Sequence, residues 1–207
     1  MKLNTNSNTY TIVYSAILVV VVAFLLSFVY QSLKPMQDKN VALDTKIHKL
    51  NALNKRDLDK ADVEKIYADA FVEECNEDGV SYEVFNVDGQ KKYLVPVKGQ
   101  GLWGPISGYI AVDEDKNTIF GTDFQHESET AGLGALITEQ KFQDSFKGKK
   151  IFAEGTDEVV ISVVKSGKAG DIDASNYVDG ITGATLTSNG VHSMINEGLK
   201  NFERVVK

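Results

Sequence analysis

The sequence is poorest in the residues that build thiol and metal chemistry. It holds one cysteine, Cys75, so no internal disulfide is available. A lone cysteine also excludes an iron–sulfur cluster or a cysteine-rich zinc site built by this chain alone; Cys75 reads as a small apolar core residue. The three histidines, His48, His126 and His192, show none of the spacing, such as HExxH, by which a helix presents two imidazoles to a metal. Clustered Lys and Arg are missing too. The balance of 29 acidic against 22 basic side chains gives a net charge of -7, which argues against a nucleic-acid or anionic-lipid surface. No GxxxxGK[ST] loop occurs, and no GxGxxG follows a strand, so neither a nucleotide-hydrolysing loop nor a dinucleotide-binding fold is encoded.

What is present begins with a membrane segment. Thr11 to Tyr30 is a run of 20 residues without a charge, which as a helix spans roughly 30 Å, the thickness of a bilayer's hydrocarbon core. Tyr10, Tyr14 and Tyr30 lie near its ends, where aromatic belts form. The run is long for the apolar part of a signal peptide, and no small-residue cleavage site follows it, so an uncleaved anchor is expected. Lys2 on one side and Lys34, Lys39, Lys46 and Lys49 on the other would, by lysine count alone, leave the large domain in the cytoplasm.

Beyond the anchor, Pro35 is expected to break the chain, and Val41, Ile47, Leu50 and Leu53 predict an amphipathic helix over 36–54. A second helix is predicted over 57–74, capped by Asp57 or Asp59, with Val63, Ile66, Tyr67 and Ala70 inward. Then the pattern changes to hairpins: one turns at Val87-Asp88-Gly89-Gln90, another between Asp113 and Asn117. A short helix ending at Gly148, a strand over 158–167 and a closing helix over 189–206, with Val191, Ile195, Leu199 and Phe202 spaced for burial, complete the chain. The expected class is α+β. A single transmembrane helix (1–35) leads into a helical neck (36–75) and then a domain (76–207) built on an antiparallel sheet.

The densest chemical signal is "DGITGATLTSNG", Asp179 to Gly190, which crowds small residues and hydroxyls at the mouth of a helix. One reading is a turn with Gly180 and Gly183 at unusual φ and Thr187 or Ser188 as N-cap. The other is an anion site, because free N–H groups and the helix dipole favour a phosphate there and small side chains let it come close.

"DGITGAT" resembles the flavinylation motif of the FMN-binding domain family shared by the NqrC proteins of the Na⁺-translocating NADH:quinone reductase and the RnfG proteins of the Rnf complex. "HESETAGLG", His126 to Gly134, is similar to that family's H-x-E-T-P-G-L-G loop, with Ala131 in place of Pro and one extra residue after His126. "GQGLWGPISGYIAV", from Gly99, resembles a run typical of the reductase branch through its Leu102-Trp103 pair.

The resemblance implies FMN carried as a phosphoester on Thr185. It places Trp103, Glu129, Thr130, Gly132, Leu133, Gly134, Thr182, Gly183, Ala184, Leu186 and Thr187 around the cofactor, and gives Asp179 and Gly180 to recognition by a flavin transferase. Trp103 is either a packed core residue or an aromatic wall beside the flavin, and His126 either caps its loop or meets the flavin.

The resemblance further implies an electron-relay member of a six-subunit membrane complex, adjoining NqrB, NqrD and NqrE. Electrons would pass from a membrane iron–sulfur centre to the FMN of NqrB. NADH oxidation and sodium transport would lie on other members of the complex, with no catalytic acid or base and no metal here. It also places the domain in the periplasm of an inner-membrane protein, against the lysine count. An RnfG-type electron-transport protein and a cofactor-free membrane-anchored scaffold are the alternatives.

Overall fold

The computed structural model describes residues 7–153, 156 and 158–206. Lys2 lies outside the described residues. The chain divides into two units, Met1–Asp44 and Thr45–Lys207.

The first unit is helical from Asn8 and belongs to α1 (Asn8–Ala52). Ser7 starts the helix by accepting the Tyr10 N–H at its side-chain oxygen, 3.2 Å. The apolar stretch is exposed all round, and α1 is long and apolar enough to cross a membrane. Pro35 does not break the chain, as the sequence led us to expect; it lies inside α1. A proline removes one i→i−4 bond, but extending an already nucleated helix adds a bond per residue fixed, which carries the segment past the gap. Val41 is exposed rather than inward.

The second unit opens with the last turns of α1, where Leu50 and then Leu53 are fully buried. Helix α2 (Lys60–Ala70) follows, with Asp59 as its cap, accepting the Ala61 N–H at 3.0 Å. It stops at Ala70 instead of running to Glu74. Phe71–Glu77 is strand β1, because an Asp78-Gly79 turn with both φ positive (49° and 79°) folds it back on β2 (Val80–Val87). Such a two-residue turn matches strand twist, and cross-strand pairing overrides helix propensity. The expected Asp88-Gly89 turn, likewise with both φ positive, joins β2 to β3 (Gln90–Gln100). Strands β4 (Pro105–Val112) and β5 (Ile119–His126) complete an antiparallel meander in the order β1-β2-β3-β4-β5.

A 3-10 helix (Gly134–Thr138) and α3 (Gln140–Asp144) come next; α3 is shorter than expected, and turns carry the chain on to Gly148, φ 74°. Of the expected strand over 158–167 only β6 (Ser162–Val164) forms, and it pairs in parallel with β7 (Tyr177–Asp179). Helix α4 (Thr185–Val206) begins four residues before the expected start.

Alternation puts Val95 and Val97 of β3 on the sheet face that packs against α4, with Val191, Ile195, Leu199 and Phe202. The other face meets the end of α1, where Lys49 pairs with Glu83 and His48 Nδ1 lies 2.8 Å from Asp123 Oδ1. That second face is covered in part: Leu94 of β3 is buried there, while Pro96 and Lys98 are exposed. Glycine permits the closest helix–sheet approach: a Cβ on Gly190 of α4 would lie 2.4 Å from the Gln100 carbonyl oxygen, and one on Gly99 would lie 2.7 Å from Met194 Cβ. The Leu199→Ala substitution is expected to cost about 2–5 kcal/mol, and Lys200→Ala, on the exposed side of the same turn, under about 0.5 kcal/mol; urea unfolding of the detergent-solubilised chain measures both.

Candidate functional site

The end of β3, the loop after β5 and the start of α4 meet at one buried carboxylate. Glu129 is 7% exposed. Its Oε1 accepts the Trp103 N–H at 2.8 Å and its Oε2 accepts the Thr187 hydroxyl at 2.5 Å. Burial pushes the Glu129 carboxyl up, but bonds from Thr187 and from the N–H groups of Trp103, Gly104 and Leu102 outweigh it and hold it below the ordinary glutamate range. Two glycines make room: a Cβ on Gly101 would lie 2.5 Å from Oε1, and one on Gly134 would lie 2.3 Å from Oε2 and 2.7 Å from Thr187 Oγ1.

The 126–134 loop is closed by its own backbone. The Glu129 N–H donates to His126 Nδ1 at 3.3 Å, so His126 caps the loop. The Thr130 carbonyl accepts the N–H groups of Leu133 and Ala135, both at 3.1 Å, around Gly132 at φ 73°. Leu133 reaches over Gly183, whose φ is 83° and whose absent Cβ would lie 3.0 Å from Leu133 Cδ2.

At the helix mouth the hydroxyls divide into two kinds. Thr187 is buried and bonded to Glu129. Ser188 is buried, and its Oγ accepts the Ile181 N–H at 3.0 Å. Neither is the N-cap: Ser188 N–H already bonds the Ala184 carbonyl at 2.9 Å inside the helix, and Thr187 faces inward. Thr182 and Thr185 are exposed, and no hydrogen bond among the described residues engages the Thr185 hydroxyl. Thr185 opens α4, where the first N–H groups lack partners within the helix. A cavity of 440 Å³ lies beside it, lined by Lys165, Ser166, Gly180, Thr182, Gly183, Thr185 and Asn189 among others. A hollow of 530 Å³ is lined by Leu136, Lys141, Phe142, Asp179 and Gly180, the last of which it shares with the first cavity.

The structure thus joins Trp103, Glu129, Leu133, Gly134, Gly183 and Thr187 directly, with Ala184 buried at the helix start. Thr130 and Gly132 enter through the loop backbone; Leu186 projects exposed from the first turn, and Asp179 ends β7. Trp103 is not a core residue, as one reading had it: it is 65% exposed, beside exposed Leu102. Lys165 and Ser166 were not anticipated, because they follow a strand whose parallel partner lies beyond the reach of local pattern. His192 was also passed over. Its Nδ1 accepts the Val163 N–H at 3.3 Å, and burial holds its imidazole below the ordinary value.

Sheet, loop and helix mouth together define a domain of the FMN-binding type. The family described as FMN-binding domain matches residues 101–200. The solved structure of the NqrC protein of Na(+)-translocating NADH-quinone reductase from Parabacteroides distasonis is 38% identical, with a TM-score of 0.75, and the match covers 82% of this chain and 94% of that one. The chain belongs to that NqrC family. Shewanella oneidensis NqrC shares the fold at 24% identity, with a TM-score of 0.63 over 78% of this chain and 95% of that one. Among curated relatives, the NqrC proteins of Chlamydia muridarum and Vibrio vulnificus are both 42% identical, over 110 and 113 residues. These stretches are 47% and 55% of this chain but only 35% and 43% of those proteins.

Because Glu129 is held below its unfolded value, its charged form contributes stability that is fully present above about pH 4.3, the ordinary glutamate value. That contribution is lost as pH falls through the lower, folded value. The gap in melting temperature between wild type and Glu129→Gln is therefore expected to stay constant from pH 7 to about pH 4.3 and to shrink in more acid buffer, as circular dichroism melts across that range will read.

Proposed function

We propose that the chain carries FMN as a phosphoester on Thr185 and acts as the electron-relay member of a Na⁺-translocating NADH:quinone reductase. The single observation that carries this is the sorting of hydroxyls at the helix mouth. Thr187 and Ser188 are spoken for, while Thr182 and Thr185 are exposed, and of these two Thr185 is the one that opens α4.

The residues fit the group. A phosphate on Thr185 would face the free N–H groups and positive dipole of α4's first turn, with Lys165 among the residues that line the same cavity. That cavity is within the size range of small-molecule sites. Gly183 at φ 83° and buried Ala184 keep the approach clear, with Thr182 at its edge. Leu102, Trp103, Leu133 and Leu186 are exposed apolar side chains around the helix mouth, suited to cover a flat ring and exclude water from it.

When bound, the flavin supplies one- and two-electron chemistry; the chain's own residues bind, orient and shield it, and none is needed as acid or base. In this reading electrons arrive from a membrane iron–sulfur centre and leave to the FMN of NqrB. NqrD and NqrE are further partners in the complex, and a flavin transferase reads Asp179 and Gly180. Sodium would cross elsewhere, since the apolar run of α1 from Thr11 to Tyr30 carries no ionisable side chain except its tyrosines. The α+β domain is assigned to the periplasm, with α1 as its inner-membrane anchor.

In a host that has the flavin transferase, the wild-type protein is expected to be heavier than its sequence by FMN less one water and to fluoresce on a denaturing gel, while Thr185→Val is dark. Dark bands in both, with a control protein labelled, would overturn the reading. A C-terminal reporter active only in the periplasm is expected to be active, and a silent reporter on intact protein would reverse the topology.

A further inference from the structure

We propose that Glu129 and Thr187 are not flavin ligands but form a positioning latch that ties the first turn of α4 to the loop carrying Trp103. The inference rests on Thr185 as attachment site and Trp103 as part of the flavin's rim. The bonding and burial of the two side chains decide between ligand and latch. Each carboxylate oxygen is already engaged, Oε1 by the Trp103 N–H and Oε2 by the Thr187 hydroxyl. Glu129 is buried, and so is the hydroxyl that it holds, which turns both away from a ligand in the open cavity. The donors come from two segments, and Thr187 lies 58 residues away in sequence.

The space around the carboxylate points the same way. A Cβ on Gly101 or Gly134 would enter it, at 2.5 and 2.3 Å. Three segments therefore close on the carboxylate, which is left buried between them. Thr187 is 1% exposed. It follows Thr185 by two residues, about 200° around the helix and 3 Å along it. Anchor and latch thus occupy opposite sides of one rigid turn, so the position of the anchor is fixed relative to the Trp103 loop through Glu129.

The test uses the full chain in detergent, with Thr187→Val, which keeps the shape and removes the donor, and Thr187→Ser, which keeps the donor. Two readouts are taken: amide hydrogen exchange over residues 101–104, and quenching of Trp103, the sole tryptophan, by the attached flavin. The Thr187→Val change is expected to speed exchange of those amides about tenfold, the equivalent of one lost hydrogen bond. It is also expected to weaken flavin quenching of Trp103, while Thr187→Ser stays within about twofold of wild type. Equal exchange in the two variants overturns the latch, as does acceleration spread evenly over β1–β5, since that reports only lost stability. If Thr187→Val does not fold, Glu129→Asp, which withdraws the carboxylate by one methylene, is read by the same criteria. Exchange is also measured in a Thr185→Val background, where no flavin is attached, so a failure of the attachment reading leaves the latch independently decided.

Discussion

A charge taken out of water must find its hydrogen bonds inside the protein, and at the mouth of α4 that requirement falls on Glu129. An unpaired buried carboxylate costs several kcal/mol. The chain meets the demand with donors from the loop after β3 and from the first turn of α4. Displacing either segment would strand the charge, so the two cannot move independently of the loop that carries it. Much of the surrounding sequence follows from this. Gly101 and Gly134 are small because the carboxylate fills the space. His126 caps the loop that presents Glu129, and Gly132 takes the left-handed conformation that turns the chain back toward α4.

The sheet gives that junction a rigid base. Its central strands are covered by α4 on one face and in part by the end of α1 on the other, and their buried side chains are largely β-branched or aromatic. Helix α4 touches β3 backbone to backbone at Gly190 and Gln100, next to Gly101 and Trp103. A close contact of this kind transmits displacement with little give, because packed interiors are nearly incompressible. The helix mouth is thus positioned twice, by packing along α4 and by hydrogen bonding at Glu129.

Local chemistry was legible where a local rule sufficed. Val191, Ile195, Leu199 and Phe202 announced the buried face of α4 through spacing alone, and Asp88-Gly89 announced a hairpin through the backbone it requires. Asp78-Gly79 carried the same signal and was overlooked, because helical spacing in the preceding residues ran on without interruption into β1. Pro35 misled through a rule that is strong in short helices and weak in one of 45 residues. The parallel pairing of β6 with β7 joins segments separated by a loop that has no pattern of its own. At the site, the motifs indicated which segments mattered, but not that Thr187 spends its hydroxyl on Glu129, since nothing in either stretch encodes the other. Exposure of Trp103 was equally silent, because a lone tryptophan looks the same in a sequence whether it faces core or solvent.

The sorting of hydroxyls at the mouth of α4 also bears on the order of events in the life of the protein. Thr185, the proposed attachment site, is exposed in the finished fold, and Thr187 and Ser188 have already satisfied their bonds without it. Attachment of a group there asks for no opening of the core and no rearrangement of the junction. On the proposed attachment, maturation and folding would be separate steps: an enzyme acting on Thr185 would work on a completed surface, and a domain that escaped it would still stand.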